Sequence, residues 1–160
     1  MKVTIAAIGR MKSGPEADLL DTYLTRARQQ GRQAGLSAVS VTEFAESRKP
    51  DATARKAEEA HAMLGACPPG ATIVALDERG QTLTSPKFAE LLNKSAEAGV
   101  RDLAFVIGGA DGLDAGLRDE ADKRLSFGPM VWPHMLARVM LAEQLYRAAS
   151  ILAGSPYHRA

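Results

Sequence analysis

The chain has little cysteine, no long apolar run and no leader-like start. Its 160 residues include one cysteine, Cys67, which excludes an intrachain disulfide and suits a reducing compartment such as the cytoplasm. Cys67 adjoins Pro68 and Pro69 and has no basic neighbour to favour a thiolate, which argues against a catalytic nucleophile. No segment approaches the ~20 apolar residues of a membrane-spanning helix, and the N-terminus shows no signal-peptide pattern. We therefore expect a cytoplasmic protein with no membrane partner.

The chain also lacks a charge excess and the common cofactor and metal motifs. Its net charge is +1, which argues against binding of nucleic acid through a large overall positive charge but is compatible with a local basic patch. Neither a G-x-G-x-x-G loop nor a Gly-Lys-Ser/Thr loop is present. The histidines have no metal-like spacing with one another or with Cys67, so we expect no metal site. They are His61, His134 and His158.

Strand and helix signals alternate along the whole chain. Short apolar, strand-like segments lie at 2–9, 37–44, 71–77, 102–108 and 124–127. Helix-favouring segments lie at 13–30, with Ser13 as the expected capping residue, and at 52–66, 85–98, 115–121 and 134–153. Such alternation predicts an α/β fold with a parallel sheet covered by helices on both faces. No repeat or linker interrupts it, so residues 1–160 are predicted to form one domain.

The last predicted helix, 134–153, is unusual. Pro133 suits its first turn, and no further glycine or proline occurs before Gly154. Most of its circumference is apolar, and Arg138 stands alone on the side opposite the polar arc. A buried guanidinium needs a partner, so Arg138 forms either a structural ion pair within the chain or part of a functional site. The helix is either a central core helix or a core helix that also meets another subunit.

Three segments follow the carboxyl ends of predicted strands, where open α/β sheets bind ligands. They are 77–80, 108–112 and 127–132. Glycines in the second would let a ligand approach the backbone, although Gly108-Gly109 alone favours a tight turn over a cofactor loop. His134 is equally compatible with a structural and a functional role.

The last six residues combine an aromatic ring, a titratable ring and a cation. Tyr157 and His158 can stack on bases, and Arg159 can contact a phosphate, so the tail suits a nucleotide. A frayed terminus is the alternative interpretation.

Several stretches together resemble one enzyme family. They are FVIGGADGL at 105–113, LS at 125–126, WPHMLARV at 132–139, EQLYRA at 143–148 and PYHR at 156–159. With them, the whole chain resembles the ribosomal large-subunit pseudouridine N3-methyltransferases of the SPOUT class. The resemblance implies a deep C-terminal trefoil knot, an exception to the rule that chains do not thread loops, and an obligate homodimer. It also implies S-adenosylmethionine as methyl donor, N3 of a pseudouridine in 23S rRNA as acceptor, and the ribosome as partner.

The resemblance further implies the site residues. Donor-binding positions fall on Leu76, Gly108, Phe127, Gly128, Pro129, Met130, Val131 and Trp132. His158 is the first candidate to accept the N3 proton and Asp111 the second, while Tyr157 would stack on the target base. Arg159 or Arg138 would stabilise charge on the uracil carbonyls or hold a phosphate.

Two alternatives stay open. The chain could be a knotted methyltransferase that acts on a tRNA nucleotide, or a non-catalytic ribosome-binding module of the same fold. Turnover on tRNA alone would indicate the first, and donor binding without turnover on any RNA would indicate the second.

Overall fold

The structure, a computed structural model, describes residues 1–158. Five strands alternate with five helices in the order that the sequence predicts. The strands are β1 (Lys2–Ile8), β2 (Ala38–Phe44), β3 (Thr72–Thr82), β4 (Asp102–Ile107) and β5 (Lys123–Ser126). The helices are α1 (Pro15–Gly31), α2 (Ala52–Gly65), α3 (Ser85–Glu97), α4 (Ala115–Glu120) and α5 (His134–Leu152), and a short 3-10 turn (Arg32–Ala34) follows α1.

The strands form one parallel sheet in the order β2-β1-β4-β3-β5. The connections β1–α1–β2 and β3–α3–β4 cross the sheet in one direction, and those through α2 and α4 cross in the other. Because parallel crossovers are right-handed, the direction of crossing decides which face a helix covers. Accordingly α1 and α3 pack on one face and α2 and α4 on the opposite face. The predicted α/β architecture is confirmed.

Side chains of each strand alternate between two cores. In β1, Val3, Ile5 and Ala7 face the larger core with α1, α3 and α5, while Ala6 and Ile8 face the smaller core with α2 and α4. Strand β4 is buried along almost its whole length, which explains its continuous apolar sequence.

Two local predictions are wrong. Strand β3 does not end near Asp77 but continues to Thr82, with its pairing to β5 shifted between Leu76 and Gln81, so the expected loop at 77–80 is an irregular part of the strand. Gly80 permits this because a Cβ there would lie 2.6 Å from the Leu125 carbonyl carbon. At α1 the N-terminal capping position is occupied by Gly14, whose φ is 153°, and no side chain caps the helix.

Helix α5 is a central core helix. It packs against α1 and α3, and nine of its residues are buried. Arg138 is 0% exposed. Its guanidinium donates to Glu43 Oε1 at 2.5 Å and to the carbonyl oxygens of Ile8 and Gly9 at 3.0 and 2.9 Å. The structural ion pair is therefore present, and it ties α5 to the ends of β1 and β2.

Removing this cation should weaken the fold strongly. We expect Arg138→Ala to lower the free energy of unfolding by about 3–5 kcal/mol, because it leaves a cavity, two carbonyls without their donor and Glu43 without its partner. The control Arg32→Ala, at an exposed position, should stay within about 0.5 kcal/mol of the parent. Urea unfolding at one protein concentration measures both, and equal losses would contradict the structural role.

Candidate active site

An open cleft lies at the carboxyl ends of β4 and β5, beside the irregular part of β3. Its volume is about 660 Å³. The helices that follow the neighbouring strands β3 and β4 cover opposite faces of the sheet. This divergence leaves a crevice between the two strands, and open α/β sheets bind ligands in such crevices. Seven of the eight predicted donor-binding residues line this cleft: Leu76, Gly108, Phe127, Gly128, Met130, Val131 and Trp132. Pro129 is not among the lining residues.

The turn after β4 forms one wall. Gly112 N–H donates to Gly109 O at 3.0 Å, which closes the turn. A Cβ on Gly108 would lie 2.7 Å from the Gly112 carbonyl carbon and 2.9 Å from Leu113 N. The turn itself therefore requires glycine at 108, which differs from the expectation that a ligand requires it. Gly112, at φ 80°, has no atom within 4 Å of an added Cβ, so its main chain is bare on that side.

Arg55 of α2 fixes the position of this turn. Its guanidinium makes two hydrogen bonds to Asp111, at 2.6 and 3.0 Å, and donates to the carbonyls of Lys49 and Pro50. Hydrogen bonding from Arg55 lowers the pKa of Asp111 below its usual range. Asp111 is thus a weaker base than an unpaired carboxylate, which counts against it as the proton acceptor.

Further charged groups line the cleft: Asp77 and Arg79 lie in the segment 77–80 selected from the sequence, whereas Lys56 and Arg118 were not selected. Asp77 lies 3.6 Å from Arg118 Nη1, and both side chains are largely buried. Lys56 and Arg79 also line the cleft. They come from α2, α4 and the irregular part of β3, so their meeting depends on the tertiary fold. The signal for Asp77 was its place after a predicted strand.

The segment between β5 and α5 forms the outer lip. Ser126 Oγ accepts from Gly128 N–H at 3.0 Å and lies 3.1 Å from Glu78 O, which anchors the start of the segment to β3. Met130 is 71% exposed, Val131 82% and Trp132 42%. The lip therefore presents large apolar side chains to solvent at the mouth of the cleft.

His134 lies on the inner side of that mouth. Its Nε2 atom is buried and has no hydrogen-bond partner among residues 1–158. Glu46 Oε1 is 3.7 Å away, and a Cβ on Gly9 would come within 2.8 Å of the ring nitrogen. Gly9, at φ 88°, thus gives His134 room to pack against the end of β1.

The predicted catalytic residues of the tail are not brought to the cleft of their own chain. Tyr157 donates to Glu143 Oε1 at 3.0 Å, and its ring lies 4.3 Å from that of Tyr146. His158 Nδ1 is 3.4 Å from the Arg147 guanidinium. Desolvation, and then the bond to Glu143, raise the pKa of Tyr157 to about 12, so its hydroxyl stays protonated. Arg138 is also absent from the cleft lining, and Arg159 lies outside the described residues.

No helix among residues 1–158 is both long and apolar enough to cross a membrane. No group of three or more His, Cys, Asp or Glu side chains in that range is placed to hold a metal ion.

Comparison with known proteins identifies the family. A family model described as "Predicted SPOUT methyltransferase" matches residues 1–158. The chain belongs to the SPOUT methyltransferase family. Proteins named Ribosomal RNA large subunit methyltransferase H, from Dinoroseobacter shibae and Cereibacter sphaeroides, are 60% and 58% identical to this SPOUT methyltransferase. Each match covers 99% of this chain and 99% of the relative.

A solved structure supports the fold of this SPOUT methyltransferase. It is that of a probable methylase family protein from Haemophilus influenzae, with a TM-score of 0.52 and 14% identity. The match covers 99% of this chain and 70% of the other. At this identity the likeness shows the fold alone, and the trefoil knot stays a prediction.

The close contact at Gly108 leads to a stability prediction. Gly108→Ala should lower the stability of the ligand-free protein by about 1–3 kcal/mol, because its Cβ meets main-chain atoms that cannot move independently. Gly65→Ala is the control, since a Cβ at this helical residue meets no atom within 4 Å and alanine favours helix. Thermal unfolding without ligand compares them. Equal midpoints would indicate that glycine at 108 serves ligand approach and not the turn.

Proposed function

We propose that this SPOUT methyltransferase transfers a methyl group from S-adenosylmethionine to N3 of a pseudouridine in 23S rRNA, on the ribosome in the cytoplasm. The observation that carries the proposal is full-length identity of up to 60% to proteins named Ribosomal RNA large subunit methyltransferase H. The motifs at 105–113, 132–139 and 156–159 supply the finer assignment to pseudouridine N3.

The cleft fits the proposed donor. Its volume of about 660 Å³ lies within the ~300–1,000 Å³ typical of small-molecule sites. Leu76, Ile107 and Phe127 offer an apolar wall for an adenine ring. At Gly112 and Gly128 no atom lies within 4 Å of an added Cβ, so a ligand can approach the main chain closely there, although both amides already donate within the chain, to Gly109 O and Ser126 Oγ.

The residues of the cleft would bind and orient the two reactants. S-adenosylmethionine supplies a methyl group on a positively charged sulfur. Lys56 or Arg118 would contact the donor's carboxylate, and Asp77 would accept from its ribose hydroxyls. Aligning the acceptor nitrogen with that methyl group is catalysis by proximity and orientation.

The acceptor N3 proton must also leave. His158 remains our candidate acceptor, because an imidazole nitrogen can accept a proton, whereas the Tyr157 hydroxyl, with its pKa raised to about 12, stays protonated. Tyr157 would stack on the base and Arg159 would stabilise its carbonyl oxygens. We assign Arg138 the role of holding α5 against β1 and β2, because it is fully buried and bound to Glu43.

The position of the tail supports a homodimer with shared sites. Tyr157 and His158 contact Glu143 and Arg147 on their own α5 and are not among the residues lining their own cleft. For these residues to serve catalysis, they must reach the cleft of a second copy. The composite site therefore depends on association of two chains.

A groove beside α5 offers a surface for that association. We call it the α5 groove; its volume is about 560 Å³. Its lining includes Leu19, Tyr23, Phe88, Val139 and Met140, and Leu19 is 47% exposed. Leu125, Phe127 and Gly128 line both the α5 groove and the cleft. An apolar surface of this kind next to the tail is suited to a second copy.

The function is tested by incubating the protein with labelled S-adenosylmethionine and ribosomes that lack the modification. We expect label in a single 23S rRNA nucleoside, identified as N3-methylpseudouridine by nuclease mapping and mass spectrometry. Free 23S rRNA and tRNA are the comparison substrates. Label in tRNA alone would support the tRNA alternative, and donor binding without label in any RNA would support the non-catalytic module.

The tail is tested by deleting residues 157–160. We expect the shortened protein to remain a dimer with nearly unchanged donor affinity and to methylate ribosomes little, because the deleted groups contact the acceptor.

A mixed dimer tests whether the tail acts on the partner subunit. One subunit lacks residues 157–160, and the other carries Leu76→Trp, which adds bulk to the cleft wall. Action across the interface predicts that this mixture regains activity, since the intact tail and the intact cleft lie on different subunits. An inactive mixture with both parents inactive and the mixed dimer verified would contradict it.

A further inference from the structure

Trp132 stands out at the mouth of the cleft. It is the single tryptophan of the chain, and among the Phe, Tyr and Trp side chains within residues 1–158 it alone is exposed. Its 42% exposure compares with 3% for Phe88 and 0% for Phe105. Met130 and Val131 precede it on the lip and are more exposed still. Burying such surface is favourable, so an open aromatic at a ligand cleft marks a contact site.

The charges of the cleft favour a nucleotide as the occupant. Asp111 and Asp77 are each paired with an arginine, whereas Arg79 is exposed on the cleft wall and has no ion pair within the described chain. Lys56 adds a second cation without an ion pair there, and Glu78 is the one carboxylate of the lining that likewise has none within the described chain. An aromatic plane together with cations matches a base and its phosphates, since bases stack on aromatic rings and phosphates bind Lys and Arg.

The position of Trp132 also suits the acceptor rather than the donor. Residues 127–132 form the outer lip of the donor cleft, and we assign any donor contact at position 132 to the main chain, because the Trp132 side chain is 42% exposed at the mouth. An enzyme that modifies a base atom must take the base out of its stack or act on a single strand, and it commonly holds the base between aromatic or apolar side chains. We infer that the Trp132 indole stacks on the extruded pyrimidine base of the acceptor nucleotide, which rests on the proposed function.

Kinetics on unmodified ribosomes test this stacking. Trp132→Ala should lower kcat/KM for ribosomes by about 5- to 100-fold, with the affinity for S-adenosylhomocysteine by calorimetry and the mass by light scattering unchanged. Trp132→Tyr should restore most of the loss, because it returns a π face, and Trp132→Leu should not. The control Leu64→Ala removes another exposed apolar side chain, 38% exposed on α2, and should behave as wild type.

The competing occupant is a second copy of the chain covering the lip. Because Trp132 is the single tryptophan, quenching of intrinsic fluorescence by acrylamide reports on it directly. We expect an accessible indole in the free dimer at working concentration. A protected indole, equal rescue by leucine and tyrosine, or wild-type kinetics in Trp132→Ala would each overturn the inference. Failure of the wild-type protein to methylate any RNA would instead overturn the proposed function.

Discussion

The guanidinium of Arg138 is the contact on which the arrangement of the cleft depends. It reaches from the middle of the larger core to Glu43 at the end of β2 and to the carbonyls of Ile8 and Gly9 at the end of β1. Since His134 lies one turn earlier on the same helix, this contact also sets where α5 begins. The lip at 127–132 is held at one end by Ser126 and at the other by α5. A fully buried charge is costly unless its partners are in place, so this geometry tolerates little displacement.

Much of the fold follows from short-range patterns. Two kinds of local signal predict the order of the elements: continuous apolar runs such as that of β4, and the residues that begin and end helices. Both signals depend on neighbouring residues alone. The extension of β3 through Gly80 did not follow, since its cause is the main chain of Leu125, more than forty residues away. The expected Ser13 cap is wrong for a local reason, because Gly14, at φ 153°, occupies the capping position and no side chain caps the helix.

The candidate site likewise has one part that the sequence predicted and another that it did not. Strand-end position and motif resemblance identified Leu76, Gly108 and the lip, and the fold gathers them around one cleft. Contacts between distant elements could not be read from the sequence, and the pairing of Arg55 with Asp111 is the clearest example. The rest of α2 and the whole of β3, α3 and β4 lie between the two residues in the chain, and their pairing lowers the pKa of a candidate base. The attachment of Tyr157 to Glu143 likewise depends on how the tail turns back along α5.

Leu125, Phe127 and Gly128 form a partition with the cleft on one side and the α5 groove on the other. Because the same three residues line both spaces and packed interiors are close to incompressible, a shift of these residues toward one side alters the shape of the other. If a small molecule fills the cleft and a second chain fills the groove, the two equilibria are linked thermodynamically. Linkage is reciprocal: whatever factor the small molecule contributes to association of the chains, association contributes to retention of the small molecule. The affinity of the two chains for each other and the affinity for the small molecule are then thermodynamically coupled.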